Sequence, residues 1–298
     1  MAFRDFERLR GILRCPRSGR PLVWEGSSAR TPSGDPEIRL LDRCVAFCTP
    51  DLPPRFDQPE YASTNPYTWD SLRFIRQFES GIVLDLGAGM PDVDFPNVVQ
   101  LEIRRYPGTD VVIGEGRLPF ADDSFDAVIS ESVLEHVKDP FLHAAEIKRV
   151  LKPGGRLVLH AAFMQPLHGA PYHFFNTTHH ALELLFSGLE VQKLEVGPHQ
   201  HPWITLRWLL QSYMNGLQDD QARQEIRRMT VGELEALLLS MHGKRDEVKR
   251  IKDPFERSDR LFSFNRDHAS QLGALLKLRP ETVIELGAGF ELVAGKPG

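Results

Sequence analysis

The residues best suited to chemistry follow one short apolar run, Val83–Leu86. A glycine-rich turn, Gly87-Ala88-Gly89, comes directly after this run, and Asp85 lies within it. Glycines at such a turn let the backbone approach a nucleotide closely. An acidic residue at the end of the next strand can accept hydrogen bonds from ribose hydroxyls, and Glu102 stands near the end of the next apolar run. The spacing therefore predicts a nucleotide site at one edge of a sheet.

A lone Gly-x-Gly turn is compatible with more than one nucleotide cofactor. The dinucleotide fingerprint G-x-G-x-x-G requires a third glycine at position 92, where this chain has Asp92. A nicotinamide-dependent oxidoreductase is therefore the weaker alternative.

Short apolar runs alternate with helix-like segments from about residue 65 to residue 196. Near-continuous apolar strands are typical of a parallel sheet that is covered on both faces, and the alternation predicts a doubly wound, mostly parallel, Rossmann-like α/β fold. Helices are predicted over 69–78, from the Asp139-Pro140 start signal to Leu151, and from Thr178 to Phe186. Strands are predicted at 82–86, 98–103, 110–113, 126–130, 156–160 and 189–196, with a closing strand at 290–296.

Four segments in order resemble the type 11 branch of the class I S-adenosylmethionine-dependent methyltransferases. They are VLDLGAG from Val83, LPF with DSFDAV from Leu118, SVLEHV from Ser132, and EIKRVLKPGGRL from Glu146. The segments have nearly the spacing of the family and cover about residues 80–196. The resemblance implies S-adenosylmethionine as the cofactor and methyl transfer as the reaction.

The resemblance also implies which residues hold the cofactor. The backbone of the Gly87–Gly89 loop, with Ala88, would bind the methionyl end, and Asp85 would orient that loop or accept from the ammonium group. Glu102 would hold the ribose. The remaining expected contacts are Gly114 and Glu115 beside the adenine, and Ser130 and Glu131 beside the methionyl and methyl groups.

This chain departs from the family pattern at three places. Only Met90–Asn97 separates the glycine loop from the second strand, which is too short for the usual crossover helix. The acid expected at Gly114 is displaced to Glu115, and Pro91 replaces the last small residue of the first motif. A catalytically silent relative that binds the cofactor or a partner as a scaffold is therefore the alternative function.

Three histidines are candidate catalytic bases: His136, His168 and His173. A sulfonium methyl group is already activated, so the enzyme mainly aligns a nucleophile in line, and a base is needed only for a protonated acceptor. A zinc site built on His168, His173, His179 and His180 is disfavoured, because no cysteine or acid is spaced with them. No metal is predicted.

Three parts of the chain differ in character. Residues 1–55 form a separate segment, in which Leu13–Leu22 faintly resembles a degenerate zinc-ribbon-like module, with Ser18 where a knuckle would need a second cysteine after Cys15. Residues 56–197 with 281–298 form the predicted cofactor domain. Residues 198–280 are predicted to form a helical insertion, which would act as a cap over the substrate pocket or as an oligomer interface. The repeated motif Ile284–Gly289 is interpreted as a turn between the last strands and not as a second cofactor site.

The composition limits the classes of partner. The 298 residues include 36 Lys or Arg and 41 Asp or Glu, a net charge of −5, and RNA is therefore not favoured as acceptor. A small molecule or a glycan or lipid intermediate is favoured. Three cysteines, no signal peptide at the first residues and no apolar run of about 20 residues predict a cytoplasmic protein without a membrane span.

Overall fold

Contacts along the chain divide the protein into two units, Met1–Met164 with Gly169–Glu195 and Gln165–His168 with Val196–Gly298. Three predicted features lie outside the residues that the structure describes: Glu115, the repeat at Ile284–Gly289 and the closing strand at 290–296. The computed structural model describes residues 5–26, 28–34, 36–42, 44–48, 63–64, 66–114, 116–169, 172–197, 200–240, 252–253, 256, 278–280 and 282.

The first unit alternates strands and helices in the predicted manner. Its strands are β1 (Val23–Glu25), β2 (Ser28–Arg30), β3 (Glu37–Leu41), β4 (Cys44–Cys48), β5 (Val83–Leu86), β6 (Val98–Glu102), β7 (Val111–Val112), β8 (Phe125–Glu131) and β9 (Leu151–His160). Its helices are α1 (Phe6–Ile12), α2 (Trp69–Gln77), α3 (Pro140–Val150) and α4 (His179–Leu185), with a 3₁₀ turn at Leu134–His136.

The central sheet has seven strands in the order β3-β4-β7-β6-β5-β8-β9, and every neighbouring pair except β3–β4 is parallel. Val83 and Leu84 are fully buried on opposite faces, because successive strand side chains alternate. Helix α2 packs on the Val83 face, and α1, α3 and α4 pack on the Leu84 face. The structure confirms the predicted α/β class, since strands buried on both faces of a parallel sheet are predominantly apolar.

The β3–β4 hairpin forms one edge of this sheet, although the sequence placed it in a separate segment. Val45 in β4 donates its backbone N–H to the carbonyl of Asp110, the residue before β7, at 2.8 Å. This bond joins β4 to β7. Val45 and Phe47 are fully buried in the same core as Leu84. Cys15 packs in that core as well, and the three cysteines of the chain are all free thiols. The hairpin therefore completes the sheet.

Local sequence signals set the helix starts. The side chains of Thr68, Asp139 and Thr178 accept hydrogen bonds from the first turns of α2, α3 and α4. The Asp139 and Thr178 caps confirm the predicted helix starts. These starts could be predicted because capping depends on residues that are close in sequence.

The strand predicted at 189–196 is absent from the described structure, which corrects that prediction. Residues 190–196 are exposed and irregular, with Val196 64% exposed. A strand forms only where a neighbouring strand completes its hydrogen bonds. Among the described residues, β9 pairs with β8 on one side and with no strand on its outer edge. The alternating pattern of Leu189, Val191 and Leu194 therefore carries no strand here.

The second unit contains three helices, α5 (Pro202–Gly216), α6 (Asp220–Arg228) and α7 (Val231–Ser240). Helix α7 begins with a capping box: the Glu233 carboxylate accepts from the Thr230 N–H at 2.7 Å, and the Thr230 hydroxyl accepts from the Glu233 N–H at 3.3 Å. These helices agree with a helical insertion, whose boundaries stay a prediction. No helix in the described part combines the length and apolar character needed to cross a membrane.

Candidate functional site

The glycine loop after β5 turns toward the end of β6. The Gly87 N–H donates to the Leu101 carbonyl at 2.9 Å, and the Gly89 N–H donates to Glu102 Oε1 at 2.6 Å. Both glycines have left-handed backbone conformations, with φ of +80° and +62°. The predicted loop and its predicted acid are therefore in direct contact.

Both glycine positions are closely packed. A Cβ at Gly87 would lie 2.5 Å from Val133 Cγ2, and one at Gly89 would lie 2.5 Å from the Ser63 carbonyl oxygen. That same carbonyl accepts a hydrogen bond from the Met90 N–H at 2.8 Å. The segments that carry Ser63 and Val133 thus contact the loop, and neither position tolerates a side chain without movement.

Glu102 is buried and faces the loop. Its second oxygen, Oε2, accepts from the Ile103 N–H at 2.9 Å. Burial raises the pKa of Glu102, while the backbone donors of Gly89 and Ile103 oppose that rise. Two carboxylate oxygens offer about four acceptor positions, so the two backbone bonds leave acceptor capacity for ligand hydroxyls.

Asp85 lies in a buried acidic environment beneath the loop. The Tyr67 hydroxyl donates to Asp85 Oδ2 at 2.5 Å. Burial raises the pKa of Asp85 from 3.8 to about 7; the Tyr67 bond lowers it, and the negative charges of Glu131 and Glu102 raise it further. Asp85 therefore titrates in the neutral range.

The end of β8 adds a third carboxylate and a hydroxyl. Glu131 Oε1 accepts from Thr68 Oγ1 at 2.6 Å and from Ser71 Oγ at 2.5 Å. His160 Nδ1 lies 3.7 Å from the same oxygen. The Ser130 side chain is fully buried, and its hydroxyl has no hydrogen-bond partner in the part of the chain that the structure describes.

Sequence reasoning missed three residues of this cluster: Tyr67, Thr68 and Ser71. Tyr67 and Thr68 stand directly before the predicted helix over 69–78, and Ser71 lies within it. Nothing local indicates that their hydroxyls face carboxylates on β5 and β8, because those contacts join residues 18 to 63 positions apart.

The carboxylate acceptors of this site fit S-adenosylmethionine. Asp85, Glu102 and Glu131 lie close together on one rim of the sheet, at the carboxyl ends of β5, β6 and β8. The positive charge of Arg104 lowers the pKa of Glu102, but no lysine or arginine of the described residues forms an ion pair with any of the three. Buried carboxylates call for cationic or hydrogen-bond-donating partners. The cofactor brings an ammonium group, a sulfonium and two ribose hydroxyls, which match these acceptors.

The predicted adenine contacts are only partly described. The Ile113 N–H donates to the Glu102 carbonyl at 3.0 Å, so Gly114 follows directly at the rim beside β6. Glu115 lies outside the described residues, and its role stays a prediction.

Two of the predicted histidines, His136 after β8 and His173 after β9, lie close together. His136 Nδ1 lies 2.5 Å from the Tyr172 carbonyl, and the His136 and His173 rings lie 5.7 Å apart. His173 Nε2 lies 3.1 Å from Asn176 Oδ1. A Cβ at Gly169 would lie 2.5 Å from His136 Cε1, so this glycine packs against the imidazole edge. The arrangement fixes the His136 ring.

His168 belongs to the second unit. Its Nδ1 lies 2.9 Å from the Pro166 carbonyl, and its ring packs 5.1 Å from that of Trp208. Hydrogen bonding to a nearby carbonyl and aromatic packing account for this histidine, and its catalytic role stays a prediction.

Comparison with known proteins identifies the central segment. Residues 84–159 match the type 11 model described as "Methyltransferase domain", from within β5 almost to the end of β9. This segment is a class I S-adenosylmethionine-dependent methyltransferase domain of the type 11 branch. S-adenosylmethionine is the cofactor that goes with this methyltransferase domain, and the glycine loop and Glu102 both lie inside it.

Similar proteins match only part of the chain. Demethylmenaquinone methyltransferase from Renibacterium salmoninarum is 41% identical over 87 residues, 28% of this chain and 36% of that protein. An uncharacterized methyltransferase of Mycobacterium tuberculosis is 33% identical over 123 residues, 40% of this chain and 45% of that protein. A SAM-dependent methyltransferase structure from Aquifex aeolicus aligns with a TM-score of 0.32 and 16% identity, covering 41% of this chain and 80% of that chain. The chain thus spans less than half the length of these two sequence relatives.

Proposed function

We propose that this protein transfers a methyl group from S-adenosylmethionine to a small-molecule acceptor. The observation that carries the proposal is the rim where Asp85, Glu102 and Glu131 meet the Gly87–Gly89 loop. These carboxylates lack an ion-paired lysine or arginine among the described residues and lie at the carboxyl ends of parallel strands, where such sheets bind ligands.

The residues divide the work of binding and orientation. Glu102 would accept from the ribose hydroxyls, and Asp85 and Glu131 would face the methionyl ammonium. The buried Ser130 hydroxyl would supply a further polar contact. When bound, the cofactor supplies a methyl group activated on a sulfonium, so the chain has mainly to position the acceptor in line and keep water out.

The names of similar proteins suggest which acceptor to assay, and the histidines suggest which residues would take its proton. Some relatives are named demethylmenaquinone methyltransferase, which makes a demethylated quinol the first acceptor to assay. His136 and His173 would receive a proton from an acceptor that arrives protonated. A glycan or lipid intermediate is the next class, and RNA is not favoured.

A cofactor-binding scaffold without turnover is the second candidate. The segment Met90–Asn97 contains no helix, as its length predicted. A helix N-terminus at this place would favour the cofactor carboxylate, and this domain lacks that contribution. A protein that binds the cofactor but transfers no methyl group to any acceptor would support the scaffold.

Calorimetric titration with S-adenosylmethionine and S-adenosylhomocysteine tests the site. Glu102→Gln should weaken both by about 10- to 150-fold, because a hydrogen bond to a charged group contributes about 1.5–3 kcal/mol. The matched control is Asp92→Asn, which removes a carboxylate from an exposed position in the following loop and should leave affinity unchanged. Equal affinities for Glu102→Gln and the native protein would remove the ribose assignment.

Two further properties stay proposals. We propose a cytoplasmic location and an oligomer formed through the helical insertion. Fractionation of cells and light scattering of the purified protein test these two proposals.

A further inference from the structure

We infer that residues 172–176, together with the Leu134–His136 turn, form the acceptor site and that this site takes a planar aromatic compound with an ionisable hydroxyl group. The inference rests on the proposed methyl transfer and names its acceptor class. It is carried by an exposed aromatic platform, by the position of that platform and by the charges around it.

The platform consists of aromatic rings that the fold leaves in contact with solvent. Tyr172 and Phe174 stack with their centroids 5.8 Å apart and their planes 10° apart. Tyr172 is 47% exposed and Phe174 is 40% exposed, and Phe175 beside them is 41% exposed. Parallel exposed rings offer a flat apolar face, on which a planar ring stacks better than a saturated one.

The platform is tied to the segment that packs against the cofactor loop. The Phe174 N–H donates to the Glu135 carbonyl at 2.7 Å. Val133, two residues earlier in the chain, packs against Gly87. The acceptor residues and the glycine loop therefore meet the same short stretch after β8. This places the platform beside the rim where the methyl group would be presented.

The groups around the platform favour a hydroxyl that can ionise. Because the Tyr172 carbonyl only accepts hydrogen bonds, His136 Nδ1 carries the proton and Nε2 is the basic nitrogen of the neutral ring. Lys138 Nζ lies 5.6 Å from the Tyr172 ring centroid, so a positive charge stands over the platform. A phenolate on the platform would be attracted by this charge.

Glu135 connects the platform to the histidines. Its side chain is fully buried, and burial raises the pKa of Glu135, while backbone hydrogen bonds, the adjacent His136 and the nearby His173 lower it. Its backbone carbonyl holds Phe174 in place. Glu135 is therefore a positioning residue, and His136 is the proposed base.

The proposed step balances without a further reactant. The acceptor hydroxyl gives its proton to His136 Nε2, and the oxygen lone pair forms the new O–CH₃ bond. The S–CH₃ bond breaks with its electron pair remaining on sulfur. The products are the aryl methyl ether, S-adenosylhomocysteine and an imidazolium that returns its proton to solvent.

Equilibrium dialysis of the full chain with 2-naphthol and with its saturated counterpart, 2-decalol, tests the acceptor class. In the presence of S-adenosylhomocysteine, we expect 2-naphthol to bind at least about tenfold more tightly, since only the flat ring stacks. Tyr172→Ala/Phe174→Ala should remove that preference. Phe141→Ala, which truncates another exposed aromatic side chain of the same unit, is the matched control and should retain it.

The absorption of bound 2-naphthol reports on the base. The naphtholate fraction at pH 7.5 should fall in His136→Gln, while the affinity for S-adenosylhomocysteine, which also reports correct folding, should stay unchanged. Equal binding of 2-naphthol and 2-decalol, or an unchanged preference in the double variant, overturns the inference. Failure to bind S-adenosylhomocysteine would instead overturn the proposed function, because 2-naphthol binding is also measured without it.

Discussion

Replacing Asp85 by Asn should stabilise the ligand-free protein at alkaline pH. Burial raises the pKa of Asp85 from 3.8 to about 7, so the folded state holds a proton that the unfolded state has released. At about 1.36 kcal/mol per pKa unit, this difference corresponds to about 4 kcal/mol. The free energy of unfolding should therefore fall as pH rises from about 4 to about 7, and the full loss should be present above pH 7.

Asn is matched in shape and can still accept the Tyr67 hydrogen bond, yet it carries no charge. Urea unfolding of both proteins at intervals from pH 4 to 8.5 gives the difference in stability, in which the titration of other groups largely cancels. We expect Asp85→Asn to gain up to about 4 kcal/mol relative to the native protein across this range. A difference that does not change with pH would refute the assignment of a buried, neutral-range carboxyl group.

The site and the fold give three further expectations. Tyr67→Phe should raise the pKa of Asp85 further, because the Tyr67 bond lowers it, and the pH of half-maximal stability loss measured in the same urea series should rise. Gly87→Ala should cost about 2 kcal/mol or more, since φ is +80° and the new Cβ would meet Val133; adding Val133→Ala should recover only the steric part in urea unfolding. Asp139→Ala removes the cap of α3 and should cost about 1 kcal/mol in thermal unfolding, whereas Asp92→Ala, in an exposed loop, should cost little.

The central strands and helix starts could be predicted because their signals are local. Val83–Leu86 and Val98–Glu102 are apolar on both faces, which only a covered parallel sheet explains. The caps at Asp139 and Thr178 act within three residues. The contact between Gly89 and Glu102 could also be predicted, because the carboxyl ends of neighbouring parallel strands lie at the same edge of the sheet.

Features that depend on distant partners could not be predicted in the same way. The β3–β4 hairpin looked separate because nothing near it in sequence shows that β7 lies alongside. Residues 189–196 have a strand-like pattern, yet a strand also needs a neighbour for its hydrogen bonds. Nothing near Tyr67 in the sequence shows that its hydroxyl donates to Asp85, 18 residues away.

By itself, the sequence determined the fold class, the glycine loop and the acid at the end of β6, because these depend on backbone periodicity and on the order of neighbouring strands. The cofactor family followed from the resemblance of four short motifs to known methyltransferases. The tertiary structure alone decided that the edge hairpin joins the sheet, that hydroxyls of residues 67–71 donate to the carboxylates of Asp85 and Glu131, and that aromatic rings after β9 meet a histidine after β8. Those contacts join segments far apart in sequence, so their energies come from burial and charge in the folded state, which no local pattern records.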